Sequence, residues 1–232
     1  MIGSSDIQRI LLGHYTMPED SSLPHQKIVV LAYLIRHPDG PVLFDTGIGE
    51  GHDEAEQRYH PIVRRPLGEA LASVGGRLGD VRAIVNCHFH LDHCGGNPLF
   101  PGTPIFAQRA EYAASNSLEY TLPEIVEFEG VKLELHEGDA DVATGLRVIP
   151  TPGHTLGHQS LLVETREGRV LVAGQGTNDA AEYGRAAFAW RTRRAGAEEA
   201  PEPPDWVARV QELGVRRVLF AHDPSVWEPI PD

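Results

Sequence analysis

The sequence predicts a layered α/β protein, because short apolar runs of strand character alternate with segments of helical spacing, and Gly- and Pro-rich turn signals separate them. The densest histidine cluster directly follows one of these apolar runs. Lys27 to Arg36 is rich in Val, Ile, Leu and Tyr, His37-Pro38-Asp39-Gly40 is a turn signal, and Pro41 to Phe44 is apolar again, so this stretch resembles a hairpin. Pro66 to Val74 carries apolar residues at helical spacing, Gly75-Gly76 stops it, and Val81 to Val85 follows as a buried strand. A second unit runs from a short helix at Gln108 to Ala114 through strands at Val131 to Leu135, Leu146 to Pro150, Ser160 to Val163 and Val170 to Ala173. Pro204 to Leu213 then reads as a helix and Val218 to Ala221 as a short strand that ends at His222.

One stretch departs from the alternation. Glu182 to Pro204 interleaves Arg185, Arg191, Arg193 and Arg194 with Phe188 and Trp190 and ends in a Pro- and Glu-rich run. Within a single domain spanning residues 1–232 it reads as an insertion or lid, or as a solvated helix and linker, with Phe188 and Trp190 as candidate apolar contacts for a substrate or as part of the protein's own core.

Composition narrows the function classes. The 232 residues are 41% hydrophobic and 23% charged, enough chain and apolar content for one substantial core. A net charge of −13 repels phosphate backbones and anionic surfaces, so no nucleic-acid partner is expected. The longest apolar stretch, Ile28 to Ile35, is far shorter than the roughly 20 residues of a membrane-crossing helix. The start of the chain has no basic segment followed by an apolar core, so a cytoplasmic location is expected. Cys87 and Cys94 flank the histidine cluster and read as two small buried thiols, one of them a candidate to line the site.

The chemistry concentrates in Asn86-Cys87-His88-Phe89-His90-Leu91-Asp92-His93-Cys94-Gly95-Gly96-Asn97. Residues two apart in extended backbone project to one side, so His88 and His90 can converge on one ion while Asp92 and His93 turn toward a neighbouring position. Gly95-Gly96 is expected to supply the φ freedom for a tight turn behind the donors. Imidazole with carboxylate suits zinc, iron, manganese or cobalt. Thr151-Pro152-Gly153-His154-Thr155-Leu156-Gly157-His158 again follows a strand, with His154 as the next ligand and His158 as a residue that orients the loop by hydrogen bonds. Phe220-Ala221-His222-Asp223-Pro224 places His222 at the end of the last expected strand. The isolated His14, His25, His37, His52, His60 and His136 receive no function.

The series His88-x-His90-x-Asp92-His93, then Gly153-His154, then His222, with Asp45-Thr46-Gly47 early in the chain, resembles the metallo-β-lactamase superfamily from about Ile28 to Pro224. The resemblance implies an αβ/βα four-layer sandwich of two mixed β-sheets. It also implies two zinc ions, one held by His88, His90 and His154 and the other by Asp92, His93 and His222, with Asp45 hydrogen-bonding a ligand without touching an ion. Thr151 to Ser160 and His222-Asp223-Pro224 look most like the N-acyl-homoserine lactonase branch, which implies lactone opening by metal-bound hydroxide, with Asp92 assisting proton transfer, and hence quorum quenching. Two positions depart from that pattern. Gln175 stands where the family carries a carboxylate that bridges both metals, so the second site should be weakened. Asn178 stands where lactonases carry a tyrosine, for which Tyr183 is the candidate substitute, as Asp179 is for the missing carboxylate.

Rival readings share the cluster. They are a thioester hydrolase of the glyoxalase type, a mononuclear iron oxidoreductase of the persulfide-dioxygenase kind, and a metal-binding homologue without turnover. A serine hydrolase is disfavoured because no Gly-x-Ser-x-Gly elbow is present, and Gly47-x-Gly49-x-Gly51 is not a full dinucleotide fingerprint.

Overall fold

The first strand, β1 (Ile7–Thr16), lies before the expected hairpin and pairs antiparallel with β2 (Lys27–Ile35), the register shifting between Leu11 and Gly13. The structure is a computed structural model that describes residues 2–21, 23–51, 62–117, 120–197 and 199–230; His52 and His60 lie outside the described residues. β2 turns at residues 37–41 into β3 (Val42–Phe44), which gives the expected hairpin. The short β4 (Val63–Arg64) pairs with the far edge of β1, and α1 (Leu67–Ala72) precedes β5 (Ala83–Val85). After the short α2 (Leu91–Cys94) come β6 (Pro104–Gln108), α3 (Arg109–Ser115), α4 (Pro123–Val126) and β7 (Lys132–His136). This sheet orders its strands β4-β1-β2-β3-β5-β6-β7, with β3, β5, β6 and β7 parallel.

The second sheet is built from β8 (Ala140–Ala143), β9 (Leu146–Pro150), β10 (Gln159–Thr165) and β11 (Gly168–Val172). Two helices follow, α5 (Ala180–Arg194) and α6 (Asp205–Glu212), then β12 (Arg217–Leu219) and β13 (Val226–Trp227). Its order is β13-β12-β11-β10-β9-β8, with β11 and β12 parallel.

The two sheets face each other through one apolar layer, in which Leu31, Tyr33 and Phe44 of the first meet Val148, Leu161 and Val172 of the second. Leu67, Ala70 and Leu71 of α1 cover the outer face of the first sheet, and Trp206, Val207 and Val210 of α6 cover that of the second. The product is the αβ/βα sandwich of two mixed sheets. Strands in the middle of such a stack are buried on both faces, which is why residues 30–35 read as one continuous apolar run. Among the described residues, no helix is long and apolar enough to cross a membrane.

Of the alternatives for residues 182–204, the first part takes the form of a helix. It belongs to α5, whose Tyr183, Ala187 and Ala189 are buried in the outer layer of the second sheet. The buried stripe is made of alanines and one tyrosine while Arg185, Arg191 and Arg194 face solvent, so the stretch looks like a charged surface in sequence although it is a packed helix. Tyr183, the substrate candidate, sits in this outer layer. It is fully buried, its ring lies 4.9 Å from that of Trp227 and 5.9 Å from that of Trp206, and its hydroxyl accepts from Gln211 Nε2 at 2.9 Å. Tyr183→Phe is therefore expected to cost about 1 kcal/mol of stability and leave KM unchanged, measured by thermal unfolding beside steady-state kinetics; a raised KM would return the residue to the substrate site. Phe188 is 70% exposed, and Trp190 lies half-buried under the Arg194 guanidinium at 5.3 Å.

Candidate metal centre

β5 ends at Val85, and the chain then crosses the carboxyl ends of the parallel strands, where open α/β sheets bind their ligands. Asp45, just after β3, holds this crossing. Its backbone has a φ of 61°, its N–H donates to the Val85 carbonyl at 2.9 Å, and its Oδ1 accepts the Cys87 N–H at 2.8 Å. A left-handed non-glycine residue is uncommon and persists only where its surroundings fix it. His90 stays extended as the residue before α2, and α2 then carries Asp92 and His93. The His93 carbonyl accepts from Thr46 N at 2.8 Å and from Asn86 Nδ2 at 3.2 Å, which ties α2 to both strand ends.

Gly95 and Gly96 are needed for a different reason than expected. Gly95 is right-handed helical, with φ −58°, and Gly96 has φ −87°, so neither uses glycine's conformational freedom. The requirement is space: a Cβ on Gly95 would sit 2.0 Å from the Ile48 carbonyl oxygen, and one on Gly96 would sit 2.6 Å from that of Thr46.

The cluster and the two later loops converge. His88 Nε2 lies 3.0 Å from His90 Nδ1, which lies 3.1 Å from His154 Nε2. Next to them, His93 Nε2 lies 3.1 Å from His222 Nε2, and Asp92 Oδ2 lies 3.6 Å from the first and 3.4 Å from the second. Each triad forms a group of donors that could hold one metal ion. Three donors about 2.0 to 2.1 Å from one tetrahedral ion lie about 3.3 Å apart, so the spacing fits a divalent cation at each. The triads are adjacent, since the His88 and His93 rings are 4.1 Å apart between centroids. His88 and His93 are buried while His154 is exposed, so the centre opens to solvent on the side of the loop between β9 and β10.

Protonation separates the two triads. Burial, reinforced by the neighbouring imidazoles, pushes His88 well below the ordinary histidine range and His154 down to about 3; burial also lowers His90. These three nitrogens keep their lone pairs at neutral pH. Burial lowers His222 as well. It would also lower His93, but Asp92 and Asp45 outweigh it and bring His93 up to about 9. Burial alone would raise Asp92; His93, His222 and His90 and a hydrogen bond from Tyr15 outweigh it and bring the carboxyl to about 2.

The remaining expected residues take distinct places. Asp45 Oδ2 accepts from His93 Nδ1 at 2.9 Å, which leaves Nε2 for the donor group. His158 is fully buried, with Nδ1 2.8 Å from Thr151 Oγ1 and Nε2 accepting the Gln175 N–H at 3.1 Å, so its ring joins two loops. Gln175 Oε1 lies 3.2 Å from His93 Nε2 and thus faces the second triad. Asp179 does not supply the missing carboxylate: its Oδ1 caps α5 by accepting from Glu182 N at 2.6 Å. The side-chain amide of Asn178 donates to Glu182 Oε2 at 3.0 Å. Cys87 is the thiol at the site, its Sγ 3.0 Å from Asp45 Oδ2, 3.1 Å from His88 Nδ1 and 3.3 Å from His93 Nδ1; both cysteines are free and buried. Tyr15 on β1, which belongs to none of the sequence motifs, donates its hydroxyl to Asp92 Oδ2 at 3.0 Å.

Comparison with known proteins agrees with this geometry. The family model described as the metallo-beta-lactamase superfamily matches residues 27–175. An N-acyl homoserine lactonase of Bacillus cereus is 39% identical over 155 residues, covering 62% of this chain and 62% of that protein, so the match spans less than two thirds of the relative. The N-acyl homoserine lactonase AiiA of Bacillus thuringiensis subsp. kurstaki is 34% identical over 179 residues, 71% of this chain and 70% of that protein. A solved N-acyl homoserine lactone hydrolase with the product N-hexanoyl-L-homoserine bound at its catalytic metal centre superposes with a TM-score of 0.73 at 26% identity, covering 97% of this chain and 95% of that one. With its fold, its ordered His and Asp donors and these relatives, the chain belongs to the metallo-β-lactamase superfamily and, within it, to the branch of the N-acyl homoserine lactonases.

Proposed function

We propose that this protein is a metal-dependent lactonase that opens N-acyl homoserine lactones, and so acts in quorum quenching, with two zinc ions in its centre. The observation that carries the reading is the pair of adjacent donor triads with an open side at His154, in a chain whose relatives are lactonases. His88, His90 and His154 would hold one ion and Asp92, His93 and His222 the other. When bound, such ions polarise an ester carbonyl and lower the pKa of water to about 7. Asp45 fixes the tautomer of His93 so that Nε2 faces the second position. Asp92 stays ionised at neutral pH and is the proposed acceptor of the proton released when water attacks the lactone carbonyl. The reading is tested by incubating the protein with N-hexanoyl homoserine lactone before and after chelation. Ring-opened product that disappears with chelation and returns with zinc is expected, and no product from the zinc-restored protein would overturn the reading. Gln175 favours a second reading, a single-iron oxidoreductase, which oxygen consumption with one iron per chain would select instead.

The two ion positions should respond differently to pH. His154, at about 3, and His88 and His90, both lowered by burial, are neutral at pH 7, so the first position binds there without expelling a proton. His93, raised to about 9, must lose a proton to free Nε2, so affinity at the second position should rise with pH, up to about tenfold per unit, until about pH 9. Zinc titrations at pH 7, 7.5 and 8 are expected to show one step that stays fixed and one that tightens; two parallel steps would contradict the assignment.

A further inference from the structure

Glu111 is a buried carboxylate, 1% exposed, that the proposed hydrolysis does not use. It lies on α3, outside both sequence motifs, yet its side chain is bonded to both. Oε1 accepts the backbone N–H of Phe89 at 2.8 Å and also the hydroxyl of Tyr120. Oε2 accepts the Thr155 hydroxyl at 2.7 Å. Phe89 sits between His88 and His90, Thr155 directly follows His154, and the Tyr120 ring lies against that of His90 with centroids 4.8 Å apart. One carboxylate therefore grips the two loops that bring together all three donors of the first triad. Close approach makes this possible: a Cβ on Gly157 would lie 2.2 Å from the Glu111 nitrogen, so only glycine lets the 151–158 loop lie against α3.

We propose that Glu111 is the positioning residue of the first ion site, setting the spacing of His88, His90 and His154 through its hydrogen bonds to Phe89 and Thr155. The inference rests on the reading that these histidines hold a metal. Without the carboxylate, a buried N–H and two hydroxyls lose their acceptor, and the two loops are free to separate. The second triad is anchored by Asp45 and by the Val29 carbonyl, which lies 2.8 Å from His222 Nδ1, and has no bond to Glu111 among these contacts.

The test is a zinc titration, against a competing chelator, of the whole chain and its E111A, E111Q and T155V variants, with H154A and H222A identifying which step belongs to which site. Loss of partners around a ligand typically weakens a metal site 10- to 100-fold. E111A is expected to weaken the first site by at least about tenfold and to spare the second. E111Q should stay within about threefold of the parent, because its amide oxygen accepts from Phe89 and Tyr120 while its NH2 donates to the Thr155 oxygen. T155V, which removes one bond, should fall between them and decides the matter should E111A fail to fold. In the metal-free protein, hydrogen exchange at the Phe89 amide should be slow in the parent and in E111Q and fast in E111A. Equal weakening of both sites in E111A, no weakening in E111A or T155V, or E111Q as weak as E111A would each overturn the inference and leave the metal reading standing. A parent protein that takes up no zinc would overturn both.

Discussion

His154→Ala is expected to lower kcat/KM for lactone opening by at least about 10³-fold, roughly 4 kcal/mol of transition-state stabilisation, and to remove one ion per chain while the fold stays intact. His154 is exposed on the loop between β9 and β10, so its loss leaves no cavity in the core. The chemistry, by contrast, loses one of three neutral donors held at 3.0 and 3.1 Å from one another. Two remaining imidazoles do not complete the three-ligand set typical of a catalytic zinc site. Unchanged thermal unfolding of the metal-free variant beside collapsed kcat/KM and metal content is the expected pattern. Full activity in H154A would remove this residue from the metal centre.

The second large effect is a gain. Gln175→Asp is expected to tighten the second zinc site by at least about tenfold, measured by chelator competition, because a carboxylate then faces the His93, His222 and Asp92 donors where a neutral amide now stands. The position is suited to it: Gln175 Oε1 already reaches within 3.2 Å of His93 Nε2, and the backbone there is fixed by the Gln175 N–H to His158 Nε2. Asp is one methylene shorter, so Q175E is the companion variant that tests reach against charge. If neither variant tightens the site, Gln175 does not govern the second ion.

Much of this site was legible in the sequence because its donors sit where strands end. An apolar run followed by a His-rich loop marks the carboxyl end of a buried strand, and β5, β9 and β12 each show that sign at His88, His154 and His222. The residues that went unseen act at long range. Tyr15 reaches Asp92 from β1, a strand interrupted by a register shift whose mixed alternation hides its period. Glu111 is an ordinary acidic residue on a short helix until tertiary contact brings two loops to it. Tyr183 shows the limit of closeness in sequence: it follows the loop after β11, and helical geometry turns its ring into the outer layer. The role of Gly95 and Gly96 was misattributed because sequence shows which residue is glycine but not whether φ or space demands it.

The His and Asp donors are proposed to form a metal centre that opens lactones. Metal content of the purified protein, measured by mass spectrometry alongside hydrolysis of a small lactone panel before chelation, after it and after metal restoration, tests this most directly. About two zinc ions per chain with lactone opening that follows the metal is the expected result. One tightly held ion or none, without lactone opening, would contradict it.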